Sequence, residues 1–400
     1  MVLDILQEAI GTRADTEKDA IITLVVTKPS GVDYGRSAEV DEPHNTNSPH
    51  TASEPERRLT PVQFDRENMG GHEGAKVSVI IPVYNVEPYV HECLKSVVSQ
   101  THTNIEVIVV NDGSTDDTPK IVSSLKAEHD CIVDIHIPNQ GVSVALNHGL
   151  EAATGDYVLL VGGDDWIDKD TIERCLEALN EQEADIVMFN GAAFSDGLPQ
   201  SEVERFGYTR APKHAKEVQT GRDIFSTFIE EVNYIVSPCL YMYRYGSLGH
   251  IRFHPGLMYE DNIFTTRLLI DVEGTKVSCL PDRFFHRRVR PNSIMTQRKT
   301  KSHVASWFGV SDELLRHPLT GGQTPVSRAL GVFIQSMLTT AVITARQASF
   351  SPFVIRSRMM ALSRLRKLDR SERGLRVSLR CAFPELGSLA NRIKRLRGRP

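Results

Sequence analysis

VSVIIPV, residues 77–83, is an almost unbroken apolar run rich in β-branched side chains. A strand of that composition has to be buried on both faces, which happens in parallel sheets covered by helices on either side. The chain beyond it repeats one alternation. Val90, Cys93, Leu94, Val97 and Val98 recur at helical spacing, with Asn85 placed to cap that helix. Next come the strand IEVIVV (105–110), the loop NDGSTDD, and a helix from about Thr118. The strand IVDIHI (132–137), the loop NQG and a helix through Leu150 follow. DYVLLV (156–161) leads into GGDDW, a helix over 168–181 and the strand DIVMF (185–189). Strands separated by single helices are βαβ units, so the fold class is α/β with a mixed, mostly parallel sheet.

Composition narrows the class further. Four hundred residues at 40% apolar content support one or two packed domains. The six cysteines, Cys93, Cys131, Cys175, Cys239, Cys279 and Cys381, are scattered without CxxC spacing, which excludes a disulfide framework and a structural zinc site. MVLDILQEAIGTRADTEKD opens with acids where a secretory signal needs a basic start and an apolar run. The expected compartment is therefore cytoplasmic. Ala329–Ala345 is uncharged but interrupted by Gln335, Ser336, Thr339, Thr340 and Thr344, which favours a packed helix over a span of about 20 residues. Residues 1–75, with DEPHNTNSPHTASEPERR inside them, are expected to be a disordered leader.

In an open α/β sheet, ligands sit beyond the carboxyl ends of the strands. The polar punctuation falls there: Tyr84-Asn85, then Asn111-Asp112-Gly113-Ser114, then Asn139-Gln140-Gly141, then Asp164-Asp165. Adjacent carboxylates at such an edge call for a cation or for solvent. Hard oxygen ligands favour Mg2+ or Mn2+, held by one or two carboxylates and the phosphates of a substrate. Gly162 and Gly163 would let a diphosphate approach the backbone closely. Read as isolated features, Asp164-Asp165 also suit a helix start, Asp112-Gly113-Ser114 a plain turn, and Glu260-Asp261 a first helical turn favoured by the dipole.

Three stretches taken together resolve the choice. KVSVIIPVYNVEPYVHECLKSVVSQTHTNIEVIVVNDGSTDDT, NQGVSVALNHGLEAATGDYVLLVGGDDW and MYEDN, in this order and spacing, resemble the inverting family 2 glycosyltransferases of the GT-A fold found in bacterial cell-surface polysaccharide synthesis. The resemblance spans roughly residues 76–295. It implies a GT-A domain over 76–300, with a nucleotide-sugar half (76–190) and an acceptor half (191–300), followed by a helical basic region over 301–400. It also implies transfer of a sugar from a nucleotide sugar, UDP-linked, to a hydroxyl of a saccharide or lipid-linked acceptor, with a divalent metal.

By the same resemblance, Pro82, Val83, Tyr84, Asn85 and Glu87 match the first nucleotide-binding loop, and Asp112, with Gly113, the acid that meets the base. Asp164 matches the metal-binding acid, with Asp165 beside it. Glu260-Asp261 match the pair whose aspartate is the general base. Gly141 and Asn147 fall in the segment that follows the third strand, while His286 (as a metal ligand) and Arg288 (at the diphosphate) fall in one that closes over the donor. Two departures stand out: the first acid of the usual acidic motif is Gly162 here, and a cation expected beside Ala145 is Leu146. A non-catalytic scaffold of a polysaccharide-assembly complex is the alternative these departures leave. A dehydrogenase is excluded, because PVYNVE follows the first strand where GxGxxG would be needed.

Other features remain two-sided. Tyr234, Tyr241, Tyr243 and Tyr245 suit either acceptor stacking or the core. The net charge of −5 hides a basic end, since residues 351–400 hold fourteen Lys+Arg against three Asp+Glu. In VIRSRMMALSRLRKLDR (354–370), Ile355, Met359, Leu362 and Leu365 recur along one helical side, and Ile393 and Leu396 sit among cations further on. Such helices either lie on an anionic membrane surface, giving a peripheral location on its inner face, or present a solvated face. No nucleic-acid module accompanies the charge.

Overall fold

A computed structural model describes residues 74–199, 203, 206, 208–215, 217–291, 293, 296–348 and 352–368. The expected leader and the second basic segment around Ile393 lie outside these residues, apart from Gly74 and Ala75.

The repeated alternation builds one sheet. Strands β1 (Val77–Val83), β2 (Ile105–Asp112), β3 (Ile132–Ile137) and β4 (Tyr157–Leu160) lie parallel in the spatial order β3-β2-β1-β4. Helices α1 (Val90–Val98), α2 (Thr118–Glu128) and α3 (Val142–Ala152) make the crossovers. The short β5 (Trp166–Ile167) and helix α4 (Thr171–Glu181) precede β6 (Ile186–Ser195), and β7 (Gln219–Thr220), α5 (Gly221–Glu230), β8 (Tyr241–Arg244) and α6 (Tyr245–Leu248) follow. Helix α7 (Asp261–Ile270), β9 (Lys276–Val289), and helices α8 (Lys301–Leu315), α9 (Pro325–Ala348) and α10 (Pro352–Leu365) complete the chain. β8 pairs antiparallel with both β4 and β6, so it joins the four parallel strands to β6 and β9 within one continuous sheet.

Strand periodicity divides the core in two. Ile80, Ile108, Val110, Val158 and Leu160 pack on one face with α3, α5, α7 and the C-terminal helices. Val79, Ile81, Val107, Val109 and Leu159 pack on the other with α1, α2 and α4. Helix α9 is long and apolar enough to cross a membrane by length and composition, but most of it is buried inside the fold. Its core residues, among them Leu330, Ile334, Leu338 and Val342, belong to the first cluster.

The tyrosines resolve toward the core. Tyr241 and Tyr243 are fully buried, Tyr234 and Tyr241 hydrogen-bond Thr266 and Thr265 of α7, and the Tyr245 hydroxyl donates to the Leu150 carbonyl. Five cysteines are free thiols, and Cys381 lies outside the described residues.

Candidate active site

The two ends of the parallel strands differ electrically. At the amino end, Glu106 accepts hydrogen bonds from Ser78, from the backbone and hydroxyl of Thr154, and pairs with Lys76. Burial would raise its pKa, but these donors win and hold it at about 2. At the carboxyl end Asp165 goes the other way. Asp165 is 3% exposed, and burial, reinforced by the charge of Asp164, pushes it up to about 7 despite Arg287 and the Arg288 amide. A carboxylate left short of charge compensation at a strand end marks a functional site.

The first loops interlock. Leaving β1, Asn85 takes φ 49°, a left-handed conformation, and its Oδ1 accepts from the Thr115 amide while its own amide donates to Ser114 Oγ. Asn85 therefore pins the loop after β2 and does not cap α1, whose N-cap is Tyr89. Glu87 accepts from the Asp117 amide and donates its own amide to Asp116. Pro82 and Val83 end β1 in register with Val110 and Asn111, which sets Tyr84, 48% exposed, beside the strand end that carries Asp112. Asp112 is buried, and its two oxygens accept the amides of Gln140 and Gly141, each at 2.8 Å. Gly113, at φ 71°, makes the tight turn against Asn139. The Asp112 carboxylate thus stitches together the loops after β2 and β3.

Asp164-Asp165 follow β4, two strand spacings, or about 10 Å, from β2. The glycines before them serve packing and not a ligand: a Cβ on Gly162 would meet Asp165 Oδ2 at 2.7 Å, and one on Gly163 would meet Val83 at 2.8 Å. Asp164 pairs with Arg290 Nε at 2.9 Å.

β9 lies across from this loop, and strand alternation sorts its residues. His286 and Arg288 point to one side. His286 stacks on Trp166 and shares a 2.7 Å hydrogen bond with Asp168, which takes it out of the expected metal-ligand set. Arg288 sits among the rings of Tyr89, Trp166 and Phe194, and donates to Glu92, to Asp196 and to the Asp164 carbonyl. Arg288 thereby braces the acidic loop. The Asn147 side-chain amide exchanges two hydrogen bonds of 2.9 Å with the backbone of Phe253, so it clamps α3 to the segment before α7.

Arg287, on the opposite side of β9, is the residue the sequence reading missed. Burial alone would lower its pKa, but Tyr208, Asp165 and Asp164 surround it and raise it. It also acts on Asp261, holding that carboxylate partly down. Asp165 and Asp261, nearly a hundred positions apart, thus both feel the Arg287 charge.

The second acidic pair starts α7. Asp261 accepts from the amide and side chain of Asn262, and burial still pushes it up to about 6, with the Asn262 bonds and Arg287 opposing. Burial and the Asp261 charge lift Glu260 to about 8. Both keep part of their surface open. Burial and mutual repulsion thus make this pair hold a proton more readily than free carboxylic acids would. Tyr259, just before them, holds φ 69°, a strained conformation for an aromatic residue.

Residues 78–244 match the model of glycosyl transferase family 2. Over these residues the chain is similar to family 2 glycosyltransferases. The matched region contains the loops built by Tyr84, Asp112 and Asp164, and the Asp261 helix lies just beyond it. The glycosyltransferase GlyA of Streptococcus pneumoniae serotype 4 is 29% identical over 304 residues, 74% of this chain and 43% of GlyA. EpsJ of Bacillus subtilis, an uncharacterized glycosyltransferase, is 30% identical over 223 residues, covering 54% of this chain and 62% of EpsJ. The chain thus spans about half the length of these relatives. Among solved structures, Staphylococcus aureus TarS 1-349 in complex with UDP-GlcNAc aligns with a TM-score of 0.61 over 80% of this chain and 92% of TarS 1-349, at 21% identity. That likeness shows the fold, the GT-A arrangement expected from the sequence.

Among the described residues, no three His, Cys, Asp or Glu side chains gather as a metal site. Asp164 and Asp165 are adjacent hard oxygen donors, a pair that fits a divalent cation taking its other ligands from a diphosphate and water.

Proposed function

We propose that the protein is an inverting glycosyltransferase that moves a sugar from a UDP-linked donor to a hydroxyl of a saccharide or lipid-linked acceptor in cell-surface polysaccharide synthesis. The observation that supports this reading is that the charge of Arg287 lowers the pKa of both Asp165 and Asp261. One acid belongs to the donor edge of the sheet and the other to the helix that faces it.

The chemistry follows from that placement. An acceptor hydroxyl attacks the anomeric carbon while its proton passes to the Asp261 carboxylate, and the bond to the diphosphate breaks on the opposite face. A positioned base of this kind contributes roughly 10²- to 10⁴-fold. With a pKa of about 6, Asp261 is ionised at neutral pH and still basic enough to accept the proton. Arg287 and Arg290 stand where the charge of the leaving diphosphate grows. Tyr84 offers an exposed ring for the base, next to Asp112. A Mg2+ or Mn2+ ion held by Asp164 and Asp165 would supply further neutralisation of that diphosphate.

The test is to incubate the full chain with Mn2+ and a panel of nucleotide sugars, UDP-GlcNAc first because the structurally similar TarS 1-349 was solved with it. Donor hydrolysis or transfer with inversion at the anomeric carbon, read by NMR, is the expected result. Retention would overturn the mechanism, and no response to any donor would favour the non-catalytic scaffold.

A further inference from the structure

The sequence places Ile355, Met359, Leu362 and Leu365 on one side of α10, but the structure splits them. Leu365 is buried in the core cluster, whereas Ile355 and Met359, one helical turn apart, are 61% and 62% exposed. Beside them a cleft of about 180 Å³ opens between α8 and α10, lined by Val304, Phe308, Phe353 and Met360. Lys301 and Arg356 line the same cleft, and Lys301 Nζ lies 5.9 Å from the centre of the Phe353 ring. Neither cation has an acidic partner among the described residues, whereas Arg364 on the same helix is neutralised by Asp312.

An exposed apolar pair beside unneutralised cations has three candidate covers. The chain's own continuation, residues 369–400, carries nine Lys+Arg against three Asp+Glu, so it is repelled by Lys301 and Arg356. A second copy docking through this face in a two-fold contact would bring the same cations against each other. An anionic bilayer satisfies both features: Ile355 and Met359 enter the headgroup–acyl boundary while the cations meet lipid phosphates.

We infer that the α8–α10 face is a docking surface for an anionic phospholipid bilayer. The basic segment that continues from α10 adds long-range attraction to the same surface. This inference is independent of the donor chemistry and stands or falls by a different measurement.

The test is flotation of the full chain with phosphatidylglycerol-containing vesicles and with pure phosphatidylcholine vesicles. The expected result is partition onto the anionic vesicles, weakened by salt, and little onto the neutral ones. Ile355→Asp/Met359→Asp should lower that partition by about tenfold or more, and Lys301→Glu/Arg356→Glu by a similar factor. All four positions are exposed, so thermal melting should stay unchanged and serve as the folding check. No binding to anionic vesicles overturns the proposal. So does partition unchanged by Ile355→Asp/Met359→Asp, which would leave the basic continuation alone responsible. A concentration-dependent dimer abolished by the same variant, without vesicle binding, would assign the face to a second copy instead.

Discussion

Tyr259 lies flat on Trp307, with ring centroids 3.9 Å apart and planes 13° from parallel. The contact ties α8 to the loop that delivers Glu260 and Asp261, and the bond from the Met258 amide to Ser306 Oγ adds a second tie. The left-handed backbone at Tyr259 costs on the order of 1–3 kcal/mol, and it persists only if its surroundings enforce it. The helices after residue 300 are therefore part of the machinery that aims the base. Trp307→Ala should lower kcat by about tenfold or more with donor affinity within a few-fold of wild type, and Trp307→Phe should recover most of the loss. Turnover measured beside calorimetric donor binding checks this, since a purely structural role would reduce both together.

Arg287 couples the donor side to the base. Removing its charge in Arg287→Gln should raise the Asp261 pKa, so the acid limb of the rate profile moves to higher pH while KM for the donor rises. Arg287→Lys keeps the charge and should restore the limb. The pH dependence of kcat/KM across pH 5–8 decides it. An unmoved limb in the Gln variant would mean that Arg287 does not act on Asp261.

The acids also set the stability profile. Asp165, Glu260 and Asp261 have folded pKa values above their unfolded ones, so the protonated forms are favoured by folding. Their contribution is complete below about pH 4 and is lost as pH rises through 6 to 8. Glu106 has the opposite sign: its contribution is present above about 4.5 and lost as pH falls toward 2. Melting temperature of the donor-free protein should therefore peak on the mildly acidic side of neutrality. Asp165→Asn should flatten the fall toward pH 8 and stabilise the protein there by on the order of 2 kcal/mol, while impairing transfer. Scanning calorimetry at pH 5 and pH 8 checks both statements.

Asn147 gives a case where structure and sequence resemblance point apart. Asn147→Ala removes both hydrogen bonds to Phe253 and leaves two part-buried backbone groups unpaired, so it should cost about 1–3 kcal/mol of stability. Donor affinity should not change. Weaker donor binding at full stability would return Asn147 to the diphosphate site.

The first half of the fold was legible because its strands are buried on both faces and its helices show clean spacing. VSVIIPV, IEVIVV and DYVLLV read as buried parallel strands, while their order in the sheet came only with the structure. The antiparallel β8 was hidden, since YMYR reads as an aromatic cluster and its role depends on pairing with strands far away in sequence. The acids at the strand ends were legible as residue types in strand-end loops. Partner choice was not: Arg288 and His286 resembled ligands, but strand alternation turns them toward Trp166 and Phe194, and Arg287 faces Asp165 and Asp261. The period of two along HRRVR was the available signal, and it needed the position of the opposing acids to be used.

The most direct test of the central claim is Asp261→Asn, assayed for turnover and for donor binding on the same preparation. The account predicts a kcat lower by roughly 10²- to 10⁴-fold, donor affinity nearly unchanged, and loss of the acid limb near pH 6. Turnover within a few-fold of wild type would contradict the assignment of Asp261 as the base and the reading built on it.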